Sequence, residues 1–107
     1  MQRPSLPGSQ ADYARTVRKV SSVANLDLNL LVSLDALLQH KSVTKAAQQL
    51  GLSQPALSAA LARLRRHFND DLLYRVGNEY HFTPLAAELR QRTGLALDGV
   101  ERVFSAQ

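Results

Sequence analysis

Leu30, Leu31, Leu34, Leu37 and Leu38 repeat as i, i+1, i+4, i+7 and i+8, which gathers them on one face of a helix. Asp27 precedes this run as a suitable N-cap, and the run ends at His40-Lys41, where basic groups suit the negative end of the helix dipole. Ser42 is placed to cap a second, short helix with the apolar face Val43, Ala46, Ala47 and Leu50. Gly51 follows at once, the residue that a left-handed position after a helix favours. Ser53 then caps a third helix that tolerates Pro55 in its first turn and turns Leu57, Ala60, Leu61, Leu64 and Phe68 inward. Asn69-Asp70-Asp71 stops it. Two β-prone runs come next, Leu72 to Val76 and Tyr80 to Thr83, separated by Gly77-Asn78-Glu79 as the tight turn of a hairpin. Thr83-Pro84 opens a last helix, Thr as cap and Pro at its first position. Along it Ala86, Leu89, Thr93, Ala96, Val100 and Val103 step alternately by three and four, a short heptad stripe. Gly94 and Gly99 each weaken that helix by about 1 kcal/mol relative to Ala, so it needs a partner surface.

The first 25 residues read differently. Pro4, Pro7, Gly8, Ser5 and Ser9 break any pattern, and Ala11 to Ala24 is at most a short basic helix carrying Arg15, Arg18 and Lys19. Residues 1–25 are expected to be a flexible basic extension, with residues 26–83 as the folded unit and 84–107 as the long helix.

Composition narrows the function. The chain of 107 residues suits one domain, and 45% apolar residues suffice for a core. It has no Cys, which removes disulfides, thiolate zinc sites and a Cys nucleophile together. The formal charge of +4 suits a polyanionic partner. No apolar run approaches the roughly 20 residues that span a bilayer, and the amino end holds no continuous apolar stretch that would suggest export. A cytoplasmic location without membrane contact is the expectation.

The informative unit is T-K-A-A-Q-Q-L-G-L-S-Q-P-A-L-S-A-A-L-A-R-L, from Thr44 to Leu64. Two short helices joined by a tight turn with Gly form a helix-turn-helix, whose second helix enters the DNA major groove. With Leu57, Leu61, Leu64 and Phe68 inward, Pro55, Ala59, Ala62 and Arg66 face outward, flanked by Gln54, Ser58, Arg63 and Arg65. Two alanines in mid-face let the helix sit deeply in a groove about 12 Å wide. Ser53, Gln54 and Ser58 then lie where base edges are read, Gln pairing with adenine and Ser donating or accepting. Thr44, Lys45, Arg63, Arg65 and Arg66 are candidate phosphate anchors. Arg75, on the hairpin, is a candidate for the minor groove, whose negative potential attracts Arg.

Rival classes find less support. His40, His67 and His81 have no metal-ligand spacing, and no phosphate-cradling Gly-rich loop appears. No enzymatic activity, catalytic residue, metal or cofactor is expected. The hairpin lacks the interleaved aromatics of a single-strand RNA platform. A helical protein-interaction or dimerisation module without DNA binding is the main alternative, because the final helix needs a partner.

The order helix-turn-helix, wing and long helix, with S-Q-P-A-L-S at 53–58 and T-P at 83–84, resembles the amino-terminal DNA-binding domain of LysR-type transcriptional regulators. L-L-V-S-L-D-A-L-L at 30–38, S-A-A-L-A-R-L-R at 58–65 and T-P-L-A-A-E-L at 83–89 are most similar to its branch of nodulation and aromatic-degradation regulators. The resemblance covers Leu26 to Gln107. It implies a mainly α, winged helix-turn-helix with a three-helix core, a two-stranded wing and a linker helix. It also implies a homodimer, or a tetramer in a full-length protein, bound to an interrupted palindrome in double-stranded DNA. Ser53, Gln54, Pro55 and Ser58 match the start of the recognition helix, Thr44 and Lys45 the preceding helix, and Arg75 the wing arginine. The linker stripe Ala86, Leu89, Thr93, Ala96, Val100 and Val103 is the implied dimer face. Ala59 stands where many relatives carry Arg, Lys or Asn, and the wing tip lacks their frequent basic residue. The family's effector-binding domain normally follows the linker helix; the sequence is read as lacking it, so any small-molecule inducer would act through an absent domain.

Overall fold

The computed structural model describes residues 27–106; the basic extension expected over residues 1–25 lies outside them. Three helices come first: α1 (Leu28–His40), α2 (Val43–Leu50) and α3 (Gln54–Phe68). A two-stranded antiparallel wing follows, β1 (Leu73–Val76) and β2 (Glu79–Phe82), and then α4 (Pro84–Ser105).

Each helix starts on the side chain that its sequence suggests. Asp27 accepts from the amides of Asn29 and Leu30 at 2.9 and 3.4 Å. Ser42, Ser53 and Thr83 accept from the amides of Lys45, Ala56 and Ala86 at 3.2, 3.1 and 3.1 Å. These caps satisfy amides that have no partner inside the helix. Three helices end on left-handed residues, Lys41, Gly51 and Asn69. Gly51 matters most: at φ +66 it lets the chain reverse within Gly51-Leu52-Ser53, and the Leu52 amide closes the end of α2 by donating to the Ala47 carbonyl at 3.0 Å.

The core is nearly all leucine and alanine. Leu34, Leu37 and Leu38 of α1 meet Ala46 and Ala47 of α2, and Leu57, Leu61 and Leu64 of α3. The alanines are wholly enclosed, which lets α2 approach its neighbours closely. Leu72 and Leu73 close the base of the wing, and Ala86 and Leu89 bring α4 onto the same core.

The wing departs from expectation at its tip. Val76 pairs with Glu79, so only Gly77 and Asn78 form the turn and Glu79 is the first residue of β2. Gly77, at φ +63 in the first central position, fits a two-residue hairpin turn whose twist matches the strands, and that turn draws Glu79 into the ladder despite its weak strand preference. Leu72 does not join β1 either. It adopts φ +62 with its side chain fully enclosed, a backbone state that costs an ordinary residue roughly 1–2 kcal/mol. Its surroundings hold it there. The Leu72 amide donates to Asp70 Oδ2 at 2.8 Å, and its carbonyl accepts from the Thr83 amide at 3.0 Å. Thr83 Oγ1 donates to the same Asp70 oxygen at 2.6 Å, so one carboxylate braces the end of α3 against the start of α4.

The stripe along α4 does not form one continuous dimer face. Ala86, Leu89 and Thr93 are buried, packed toward α1, and Thr93 Oγ1 lies 3.3 Å from Asp35 Oδ1 as donor to acceptor. These three residues serve their own domain, because α1 offers the apolar surface nearest to the start of α4. Val100 borders a shallow apolar groove with Leu28, Leu31, Leu34, Leu64 and Phe68. Elsewhere α4 bares large apolar groups, with Leu95 66%, Val103 70% and Phe104 82% exposed.

Candidate nucleic-acid interface

The turn at Gly51 sets the first residue of α3 beside the first turn of α2. Gln54 Nε2 donates to Thr44 Oγ1 at 3.1 Å across that junction. One helical turn on, Ser58 lies on the same side. The wing folds back toward them, so that Thr44, Lys45, Gln54, Ser58 and Arg75 line one open groove of about 730 Å³. Five of the residues expected from the sequence to touch nucleic acid are therefore neighbours in space, contributed by α2, α3 and β1.

The charge of this groove is mostly positive. Lys41, Lys45 and Arg75 line it, with Glu79 as the opposing carboxylate and His40 at its margin. Arg75 is not loose. It faces Tyr80 across the ladder, its guanidinium 5.2 Å from the ring centre, a cation–π contact that orients the cation. Lys41 sits 5.1 Å from the centre of the Phe82 ring. His40, the last residue of α1, has Nε2 at 2.6 Å from Gln49 Oε1, tying α1 to α2 under the groove. His67 lies exposed on α3 against the edge of Phe68, and His81 stacks on Tyr74 in the wing.

The remaining candidates separate into three groups. Ser53, Pro55, Ala59 and Arg66 are exposed and Ala62 is half-buried, so the lean outward edge expected of α3 is present and not covered by any of the described residues. Arg63 is exposed but leans toward the start of α1, with its guanidinium 3.5 Å from Asp27 Oδ2, an ion pair that solvent screens strongly.

Arg65 has a different part to play. Its Nε donates to the Asp71 carbonyl at 2.9 Å, and a terminal nitrogen donates to the Leu73 carbonyl at 2.7 Å. The expected phosphate anchor is thus a clamp that holds the bend between α3 and β1. The reason is local: the left-handed residues Asn69 and Leu72 curl the chain back until two carbonyls face the guanidinium.

Two groove residues escaped the sequence reading. Tyr80 counted only as a strand former, and Lys41 only as a helix terminator. A signal for Tyr80 existed in the hairpin itself, since any register that pairs Val76 with Glu79 sets an aromatic ring opposite Arg75.

Relatives agree with this architecture. The family model described as a bacterial regulatory helix-turn-helix protein of the lysR family matches residues 28–97, from the start of α1 into α4. The chain is similar to the HTH-type transcriptional regulator SyrM 2 of Sinorhizobium fredii, 46% identical over 103 residues, which is 96% of this chain and 30% of that protein. It is also similar to nodulation protein D 1 of Rhizobium leguminosarum bv. phaseoli, 58% identical over 64 residues, covering 60% of this chain and 20% of that protein. The chain thus spans less than a third of the length of these curated relatives. Among solved structures, the BenM_DBD/catB site 1 DNA complex superposes with a TM-score of 0.69 at 29% identity, over 75% of this chain and 90% of that one. With the wing, the three-helix core and the start of α4 all inside the matched span, the chain belongs to the lysR family of bacterial regulatory helix-turn-helix proteins.

Proposed function

We propose that this chain binds double-stranded DNA with sequence preference and, as a homodimer, regulates transcription. Residues 54–68 occupy the major groove and the wing, residues 72–83, meets the adjacent minor groove. The observation that carries the reading is the convergence of Gln54, Ser58, Thr44, Lys45 and Arg75 on one cationic groove beside the exposed edge of α3. Ala59 and Ala62 keep the middle of that edge low enough for close approach to base pairs. Gln54 and Ser58 read base edges, while Lys45, Arg66 and Lys41 hold phosphates. Arg75, preset by Tyr80, reaches into the minor groove.

Apolar surface left bare among the described residues supports pairing through α4. Leu95, Val103 and Phe104 are exposed and large, and Ala96 joins them, so the far half of the helix has apolar surface to cover. A twofold pair of such chains presents two recognition helices to two half-sites of an interrupted palindrome.

The test begins with selection of bound sequences from a pool of random duplexes. Gln54→Ala should then cost about 1–3 kcal/mol on the selected duplex and relax preference at one base pair. Arg66→Ala should weaken binding evenly across sequences and lower the salt slope by about 1 per protomer. If neither substitution changes affinity in a titration, the groove assignment is wrong. A protein-interaction module, the rival reading, would show no salt-dependent duplex binding at all.

A further inference from the structure

The bond between Gln54 and Thr44 does more than join two helices. A glutamine amide free to turn can offer a base either its two N–H groups or its carbonyl oxygen. Here one N–H of Nε2 is committed to Thr44 Oγ1 at 3.1 Å, and both residues border the groove. What remains for a ligand is one N–H and Oε1, a single donor beside a single acceptor. In the major groove adenine offers the complement, an N6 donor beside the N7 acceptor, whereas guanine offers two acceptors in N7 and O6. A tied amide therefore suits adenine, and a freely turning one is less selective.

We infer that Thr44 is a positioning residue for base recognition: by holding one N–H of Gln54, it fixes the amide edge presented to DNA and makes adenine the preferred base at the pair that Gln54 reads. The inference rests on the DNA-binding reading given above and adds to it the source of specificity at one position. Thr44 is exposed, on the first turn of α2, and its role as a mere phosphate contact would leave base preference untouched.

The experiment uses the whole chain and a duplex chosen by selection from a random pool, together with its variants carrying G, C or T at the position that Gln54→Ala makes indifferent. Anisotropy titrations give the affinity ratio of the A duplex to each variant. Thr44→Val, which keeps the shape and loses the hydroxyl, should reduce the preference for A over G about five- to tenfold. Thr44→Ser, which keeps the hydroxyl, should restore most of it. In the Gln54→Ala background, Thr44→Val should leave the ratios unchanged, because nothing remains to be positioned. Thermal melting verifies that each variant folds. Uniform loss of affinity on all four duplexes with Thr44→Val, at constant ratios, would overturn the positioning role while leaving DNA binding intact. If Gln54→Ala alters no base preference anywhere in the site, both this inference and the reading beneath it fail.

Discussion

Arg65 offers the sharpest separation between a residue that binds and one that builds. Two charge-assisted hydrogen bonds, at 2.9 and 2.7 Å, tie it to the carbonyls of Asp71 and Leu73. Bonds of this kind contribute about 1.5–3 kcal/mol each when sheltered and less where water competes. The Asp71 bond is exposed and the Leu73 bond is partly buried, so a combined loss of about 2–3 kcal/mol is reasonable for Arg65→Met, which retains the aliphatic stem. For a domain of this size each kcal/mol moves the midpoint by about 4–8 °C, giving an expected fall of roughly 10–20 °C. The assay is thermal unfolding by circular dichroism at one fixed concentration, since self-association would otherwise shift the midpoint. A parallel salt titration of duplex binding, run well below the midpoint, should return an unchanged slope, because no phosphate contact has been removed. A midpoint within about 2 °C of the parent, joined to a slope reduced by about 1, would refute this reasoning and restore Arg65 to the DNA-facing set.

Other substitutions probe separate links. Asp70→Ala removes the acceptor shared by the Leu72 amide and the Thr83 hydroxyl, and should cost about 2–3 kcal/mol in chemical denaturation; a loss below about 0.5 kcal/mol would mean that the brace between α3 and α4 is idle. Gly51→Ala meets no neighbouring atom, so its cost of about 1–2 kcal/mol comes from the positive φ alone, and an unchanged denaturation midpoint would show that the turn relaxes. Phe104→Asp, at a position 82% exposed, should leave the monomer's unfolding intact yet move the sedimentation profile toward monomer; an unchanged dimer would place the partner surface elsewhere.

Much of this architecture was legible from patterns that act over one helical turn. Capping by Asp27, Ser42, Ser53 and Thr83 rests on a side chain reaching an amide two or three residues ahead, which a sequence displays directly. Inward leucines of α1 and α3 declared themselves by spacing. What stayed hidden depended on which surfaces meet. The heptad stripe identified an apolar face of α4 but not its partner, and α1 of the same chain takes the first half of it through Ala86, Leu89 and Thr93. Arg65 looked like any helix-surface cation until the left-handed Leu72 turned two carbonyls toward it. Glu79 looked like turn because strand preference is weak evidence beside a hairpin whose register is set by Gly77. At the candidate interface the same limit applied: residue types named Gln54, Ser58, Lys45 and Arg75, while their supports, Thr44 Oγ1 and the Tyr80 ring, required the fold.

The outward edge of α3 is the surface proposed to meet paired bases, and the methyl groups on it report that contact directly. Methyl NMR of alanine-labelled protein, titrated with a selected duplex, should displace or broaden the signals of Ala59 and Ala62. Ala46 and Ala47, enclosed in the core, should keep theirs, as should Ala106 at the far end of the chain. Unmoved Ala59 and Ala62 signals at saturating duplex would contradict the account, whatever else in the spectrum had changed.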